Sequence, residues 1–183
     1  MATRAVPAPL AQLPNALTLG RLALIPAFVA LMIRAGDAHS WPAGILFGVA
    51  GGTDQVDGFL ARRWHVESRF GKIADPLADR LMIDAAVILL VVYSRLPWAG
   101  LVVIAARDLL LLVGWRALAP RGVELDVNLL GKAATWVLYA AIGFRIVTHD
   151  ATSWPLWLFW IGLGGALAAT LLYMRDALRV LRR

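Results

Sequence analysis

The sequence predicts an all-α integral membrane protein of about six transmembrane helices, with both termini in the cytoplasm. Of its 183 residues 60% are hydrophobic and only 16% are charged, and the mean hydropathy is +0.70. Soluble domains are typically about half apolar and about a quarter charged. The composition therefore excludes a disordered chain, a fibrous repeat and a soluble globule. The absence of cysteine excludes disulfides and thiol catalysis.

Six apolar runs account for most of the length, each close to the ~20 residues that a helix needs to cross a bilayer. They fall at about 16–35, 42–62, 73–94, 97–118, 128–147 and 153–174. Lipid admits only helices or closed barrels, and the runs lack the alternation of barrel strands, so each is predicted to be a helix. We expect an interfacial N-terminal segment at 1–15, a six-helix domain at 16–174 and a basic cytoplasmic tail at 175–183.

The distribution of Lys and Arg predicts the orientation. With six spans, the two termini and the second and fourth loops lie on one side of the membrane. That side carries Arg4, Arg62, Arg63, Arg69, Lys72, Arg116, Arg121, Arg175, Arg179, Arg182 and Arg183. The other side carries Arg34, Arg95 and Arg145, so the positive-inside rule places both termini in the cytoplasm. The net charge of +6 indicates affinity for anionic lipid, and no nucleic-acid partner is expected.

Acidic residues inside the second and third spans predict a cation site. Asp54 and Asp57 are three residues apart and Asp75 and Asp79 four apart, so each pair lies on one helix face. The two spans are consecutive, and Asp54 and Asp79 lie ~12 Å from the loop that joins them. Four carboxylates at one depth would repel one another without cations, and oxygen-only ligands suit Mg²⁺, Mn²⁺ or Ca²⁺. Neutralisation of neighbouring arginines would explain one acidic pair, but not four converging acids.

Asp84 serves as an internal comparison. It follows Asp75 by nine residues, which turns it to the opposite face of the third span. We expect it to pair with another helix or to line a dimer or cavity edge.

Residues 54–79 read DQVDGFLARRWHVESRFGKIADPLAD, which is D-x₂-D-G-x₂-A-R-x₈-G-x₃-D-x₃-D. This segment resembles the signature of the CDP-alcohol phosphatidyltransferase family, and PNALTLGR at 14–21 resembles that family's first-helix segment. The resemblance implies that Asp54, Asp57, Asp75 and Asp79 hold two divalent cations (Mg²⁺ or Mn²⁺), with Asp79 also the general base. The implied CDP-binding residues are Asn15, Thr18, Asp57, Gly58, Ala61, Arg62 and Gly71. Each small residue among them would serve helix packing equally well.

The resemblance also implies a reaction and a setting. An acceptor hydroxyl attacks the phosphorus that bears the diacylglycerol of CDP-diacylglycerol, and CMP leaves. The enzyme would be a homodimer in the bacterial cytoplasmic membrane, with its active site facing the cytoplasm. There the lipid tails of the donor stay in hydrocarbon while cytidine and the acceptor enter from water.

The acceptor is expected to be anionic. Arg107, Lys132 and Arg116 are candidate acceptor-binding residues, although Arg107 could instead pair with Asp108 and Lys132 could reach the interface. The line PNALTLGRLALIP and the short chain resemble the phosphatidylglycerophosphate synthase branch of the family, whose acceptor is glycerol 3-phosphate. The segments ARD at 106–108 and LGKAAT at 130–135 resemble the cardiolipin synthase branch, whose acceptor is phosphatidylglycerol. Glycerol 3-phosphate is the first expectation and phosphatidylglycerol the alternative.

Other classes of protein predict different features. A membrane prenyltransferase also uses paired Asp motifs and Mg²⁺, but it needs more helices than this chain supplies. A cation transporter with an intramembrane acidic site is the non-enzymatic alternative. In the last span, the small residues at 162, 164, 165, 166 and 169 would pack against a neighbouring helix or a second subunit.

Overall fold

The structure is a computed structural model that describes the backbone of residues 8–64, 69–118, 129–149 and 151–181. Side chains are described for 19–53, 78, 80–114, 116, 129–149 and 151–175. All regular structure in these ranges is α-helical. The helices are α1 (Ala8–Ala35), α2 (Trp41–Trp64), α3 (Arg69–Val92), α4 (Trp98–Leu118), α5 (Leu129–Val147) and α6 (Trp154–Leu181).

The predicted all-α class and the order of the helices are confirmed over the described residues. The bounds differ most at the two ends, because α1 already begins at Ala8 and α6 continues to Leu181. Hydrophobicity marks where a helix could enter lipid. The backbone hydrogen bonds that define the helix can continue into polar sequence, so apolar runs underestimate helix length.

The chain forms two compact units, Met1–Leu89 and Leu90–Arg183, and the division falls within α3. In the first unit α1 packs against α2. The rings of Phe28 and Phe47 lie 5.8 Å apart in its core, and Arg21 of α1 is only 2% exposed.

Short polar contacts form the turn between α1 and α2. Gly36 has φ of +75°, where glycine is favoured, and its N–H donates to the carbonyl of Ile33. The carboxylate of Asp37 accepts from the N–H of His39 at 2.9 Å. Ser40 begins α2 as its N-cap, since its Oγ accepts from the N–H of Ala43 at 3.2 Å.

In the second unit, α5 and α6 form a closely packed antiparallel pair through small residues. A Cβ added to Gly162 would lie 2.9 Å from the amide nitrogen of Leu138, and one added to Gly165 would lie 3.2 Å from Cβ of Ala134. A Cβ added to Gly164, which is exposed, would meet nothing within 4 Å. Of the predicted small-residue face, Gly162 and Gly165 therefore contact α5, and Gly164 does not.

The helix α4 packs along α6 and runs in the same direction. A Cβ on Gly100 would meet the ring of Phe159 at 2.7 Å, and one on Gly114 would lie 3.8 Å from the ring of Tyr173. These contacts advance along both helices together. Because α4 and α6 run parallel, their C-terminal halves lie towards the same end of the unit.

At the opposite end of this unit, two buried arginines form hydrogen bonds with the α3–α4 and α5–α6 connections. Arg145 donates from Nε to the carbonyl of Arg95 at 2.7 Å and from Nη1 to the carbonyl of Thr152 at 3.1 Å. Arg95 in turn donates from Nη2 to the carbonyl of Thr148. The sequence predicts both arginines as charges on the non-cytoplasmic side. Arg95 is only 2% exposed and Arg145 only 7%, and both bind backbone carbonyls of the α3–α4 and α5–α6 connections.

Several features of the exposed surface fit a membrane protein. Where side chains are described, two helices are long and apolar enough to span a bilayer, Leu129–Val147 and Trp154–Arg175. Large apolar side chains are exposed along α4 and α6, including Leu109, Leu112, Val113, Ile161 and Leu171. Each of α2, α4 and α6 begins with an exposed tryptophan, Trp41, Trp98 and Trp154. Trp prefers the membrane–water interface, so these positions match the ends of membrane-embedded helices.

Candidate active site

The backbone places the acidic motif on two consecutive helices. Asp54 and Asp57 lie on α2, and Asp75 and Asp79 lie on α3. Asp54 precedes the end of α2 by ten residues and Asp79 follows the start of α3 by ten, which is ~15 Å of helix in each case. The two positions therefore have matching depth, measured from the connection at 65–68. The side chains of all four aspartates lie outside the described residues.

The donor chemistry of this motif fits a hard divalent cation. Four carboxylates offer only oxygen ligands, which suit Mg²⁺ or Mn²⁺ better than the softer metals that prefer His or Cys. Among the residues whose side chains the structure describes, no group of three or more His, Asp or Glu forms a further metal site. The four aspartates of the motif offer the oxygen-only set of ligands that such ions prefer.

The predicted CDP-binding residues occupy helices as well. Asn15 and Thr18 lie on α1, Gly58, Ala61 and Arg62 on α2, and Gly71 in the first turn of α3. Their side chains also lie outside the described residues. Next to the motif, Oγ1 of Thr53 lies 2.9 Å from the carbonyl oxygens of both Val49 and Ala50, which share its one proton, and Ala78 is fully buried.

A second cluster forms around Arg107 in the other unit. Arg107 lies in the middle of α4, and its Nη1 contacts Oδ1 of the adjacent Asp108 at 3.3 Å. Its Nε donates a long hydrogen bond of 3.4 Å to Oγ1 of Thr170 on α6. The side chains of Arg107 and Asp108 are 20% and 18% exposed. The local pair with Asp108 anticipated from the sequence exists, and a contact with α6 accompanies it.

Lys132 on α5 and Arg107 on α4 lie at the same level along α6. A Cβ on Gly131, next to Lys132 on α5, would lie 3.5 Å from Cβ of Ala169. Ala169 directly precedes Thr170, which Arg107 contacts. Two neighbouring residues of α6 are therefore involved: Ala169 packs against the backbone next to Lys132, and Thr170 contacts the guanidinium of Arg107. Lys132 is exposed and Arg107 is half-buried.

Two other charged residues lie on α4 and on α3. Arg116 follows Arg107 by nine residues, which turns it to the opposite face of α4, and it is exposed. Asp84 is half-buried on α3, one turn after Arg80. The structure therefore brings Arg107 and Lys132 to one level but sets Arg116 apart.

Thr170 is the residue of this cluster that sequence reasoning missed. It is 4% exposed and sits in the apolar run at 153–174. A hydroxyl in such a run is usually satisfied by the carbonyl four residues earlier, as Thr170 is by Ala166. The available signal was its polarity among apolar neighbours, but its partner on α4 emerges only from helix packing.

Comparison with known proteins identifies the class to which this helical fold and motif belong. Residues 11–170 match the family model described as CDP-alcohol phosphatidyltransferase, a match that reaches from α1 into α6. The chain belongs to the CDP-alcohol phosphatidyltransferase family and is an enzyme of that class. The predicted family is thereby confirmed. Members of the family are membrane enzymes that generally use divalent cations.

Several relatives carry more specific names. The chain is 34% identical to the CDP-diacylglycerol–glycerol-3-phosphate 3-phosphatidyltransferase of Bacillus subtilis (strain 168), over 79% of this chain and 86% of that protein. It is 32% identical to the enzyme of the same name from Escherichia coli (strain K12), over 79% and 90% of the two chains. It is also 37% identical to a probable phosphatidylglycerophosphate synthase of Mycobacterium tuberculosis (strain CDC 1551 / Oshkosh), over 75% and 67%. These names support the phosphatidylglycerophosphate synthase branch.

Proposed function

We propose that this enzyme transfers the phosphatidyl group of CDP-diacylglycerol to glycerol 3-phosphate, forming phosphatidylglycerophosphate and CMP. The observation that carries the proposal is the similarity, at 32–37% identity over at least three quarters of the chain, to relatives named for this reaction or its product. The complete motif from Asp54 to Asp79 supports it, because every fixed residue of the signature is present.

The four aspartates supply the chemistry of the transfer. Asp54, Asp57, Asp75 and Asp79 would hold two divalent cations, Mg²⁺ or Mn²⁺, which when bound stabilise negative charge on the phosphoryl oxygens. Asp79 accepts the proton of the acceptor hydroxyl as its oxygen forms the new bond to phosphorus. The bond between that phosphorus and the oxygen bridging to CMP breaks, and CMP leaves with the bonding electrons.

The CDP group is assigned to the small and basic residues of the motif. Gly58, Ala61 and Gly71 have little or no side chain, which suits close approach of a nucleotide to the helix backbone. Arg62 presents a forked guanidinium that suits a phosphate. Asn15 and Thr18 of α1 complete the proposed nucleotide site.

Arg107 and Lys132 are assigned to the phosphate of glycerol 3-phosphate. The support is that both residues, on α4 and α5, lie at the same level along α6, together with the affinity of guanidinium and ammonium groups for phosphate. Arg116 is the third basic residue proposed for the acceptor, as a contact on its path from the cytoplasm.

We assign the chain six membrane spans, a cytoplasmic active site and both termini in the cytoplasm of a bacterial inner membrane. The support is the unequal distribution of Lys and Arg between the two sides of the membrane. Arg95 and Arg145 are buried, so fewer solvated charges remain on the non-cytoplasmic side and the difference becomes larger. Residues 1–15 would lie at the interface, 16–174 would form the catalytic domain and 175–183 would bind anionic lipid. The enzyme would act as a homodimer.

An acceptor panel tests the proposed function. Purified protein in detergent receives CDP-diacylglycerol and Mg²⁺ with glycerol 3-phosphate, phosphatidylglycerol, serine or inositol phosphate, and CMP release is followed. We expect release with glycerol 3-phosphate that disappears in EDTA. Release with phosphatidylglycerol alone would favour the cardiolipin synthase alternative, which the segments at 106–108 and 130–135 motivate.

A further inference from the structure

We propose that Thr170 is a positioning residue for the acceptor phosphate, acting through Arg107. This inference rests on the proposed function, since it concerns how the enzyme would hold glycerol 3-phosphate. It starts from an unusual feature of α6, a threonine only 4% exposed whose hydroxyl contacts a guanidinium on another helix.

The guanidinium of Arg107 has only N–H donors, so Thr170 is the acceptor in their contact. Its Oγ1 donates to the carbonyl of Ala166 at 2.9 Å, and a hydroxyl has only one proton to donate. The oxygen therefore presents its lone pairs to α4, where Nε of Arg107 donates to it at 3.4 Å. The bond to Ala166 orients Thr170 as an acceptor.

This contact determines how the guanidinium is presented. Asp108 contacts Nη1 and Thr170 contacts Nε, so two sides of the planar group are restrained. Four of the five N–H donors of arginine are on the terminal nitrogens, and these form the forked contact that arginine makes with a phosphate. Holding Nε on α6 reduces the freedom of the side chain before the acceptor binds, which lowers the entropy cost of binding.

The helix α6 also packs against α5 beside Lys132. Ala169 approaches Gly131 on α5, and the next residue, Thr170, contacts Arg107 on α4. One stretch of α6 thus sets the level of both basic residues. A phosphate bound by both would be sensitive to the hydroxyl of Thr170 even without touching it.

Three variants test the inference in the full-length enzyme. Thr170→Val keeps the shape but removes the hydroxyl, and Thr170→Ser keeps the hydroxyl. Thr148→Val is the matched control, because the hydroxyl of Thr148 makes the same bond to the carbonyl four residues earlier but lies beyond the other end of α5. CMP release is measured with glycerol 3-phosphate varied at saturating CDP-diacylglycerol, and then with the two substrates exchanged.

We expect Thr170→Val to raise KM for glycerol 3-phosphate about five- to tenfold, the upper part of the range for immobilising one long side chain on binding. The KM for CDP-diacylglycerol should stay within about twofold, and Thr170→Ser and Thr148→Val should both behave like wild type within about twofold. Equal changes in both KM values, an unchanged KM for glycerol 3-phosphate, or a serine variant as impaired as the valine variant would overturn the inference.

A double-mutant cycle tests the inference even if Thr170→Val lowers the stability of the enzyme. Because Thr170 is proposed to act through Arg107, adding Thr170→Val to Arg107→Lys should produce no further rise in KM for glycerol 3-phosphate. Independent, multiplicative effects would refute the coupling. A wild-type enzyme that releases no CMP with glycerol 3-phosphate would instead overturn the proposed function, and this inference with it.

Discussion

The contact between Gly162 and α5 gives a stability prediction that can be worked out from the structure. In Gly162→Ala the new Cβ would lie 2.9 Å from the backbone nitrogen of Leu138, 3.0 Å from its Cγ and 3.1 Å from Cγ1 of Val137. All three distances are shorter than the 3.4 Å at which ordinary contact begins, and a backbone atom cannot rotate away. The helices must separate, and overpacking of this kind costs ~1–3 kcal/mol.

Gly164 provides a matched control two residues along the same helix. A Cβ there would meet nothing within 4 Å, so Gly164→Ala gains the helix propensity of alanine, up to ~1 kcal/mol, without a clash. Both variants share that gain, and the difference between them isolates the contact with α5. Gly165→Ala should fall between the two, because its Cβ would lie 3.2 Å from a side-chain methyl of Ala134.

Thermal unfolding in detergent, followed by tryptophan fluorescence, measures this difference. A difference of ~2 kcal/mol corresponds to a Tm lower by ~4–8 °C in a chain of this size. We therefore expect the order Gly162→Ala, Gly165→Ala, Gly164→Ala from lowest to highest Tm. Equal Tm values for the first and last of these variants would refute the closely packed α5–α6 contact.

Three further predictions concern the charged residues. Arg145→Gln should lower Tm by more than ~5 °C, since it removes two hydrogen bonds donated by a buried charged group, each worth ~1.5–3 kcal/mol. The control Arg34→Gln, at an exposed residue, should leave Tm unchanged. Equal Tm values for the two variants would contradict the buried network. Arg107→Lys should raise KM for glycerol 3-phosphate about tenfold in CMP-release assays, because an ammonium cannot reproduce the forked geometry, and an unchanged KM would remove Arg107 from the acceptor site. Asp79→Asn should reduce the rate of CMP release at least ~100-fold, as loss of a general base does. Asp84→Asn, on the same helix, should retain activity. Comparable losses in the two variants would contradict the assignment of Asp79 as the base.

The sequence was sufficient to predict the helices and the motif, because both depend on local pattern. Apolar runs of spanning length led to the all-α class, and the spacing of Asp54, Asp57, Asp75 and Asp79 led to the family. Helix ends were less predictable. The helix α1 begins at Ala8, well before the apolar run, because backbone hydrogen bonds can extend a helix beyond the segment that enters lipid.

Contacts between helices could not be predicted in the same way. Arg95 lies between two apolar runs and Arg145 near the end of the fifth run, so both were counted as charges on the non-cytoplasmic side, yet they bind carbonyls 50 or more positions away in sequence. Gly162 and Gly164 look alike in the sequence, but only the first faces α5. Thr170 escaped notice for the same reason, since its partner is 63 residues away. Such pairings depend on the rotation of each helix about its axis, which composition does not determine.

The lipid made by the purified enzyme from CDP-diacylglycerol and glycerol 3-phosphate tests the central claim most directly. Mass spectrometry of the lipid extract, paired with CMP quantification, should show phosphatidylglycerophosphate and CMP formed in equal amounts. Phosphatidic acid in place of phosphatidylglycerophosphate, or cardiolipin formed only when phosphatidylglycerol is supplied, would contradict glycerol 3-phosphate as the acceptor.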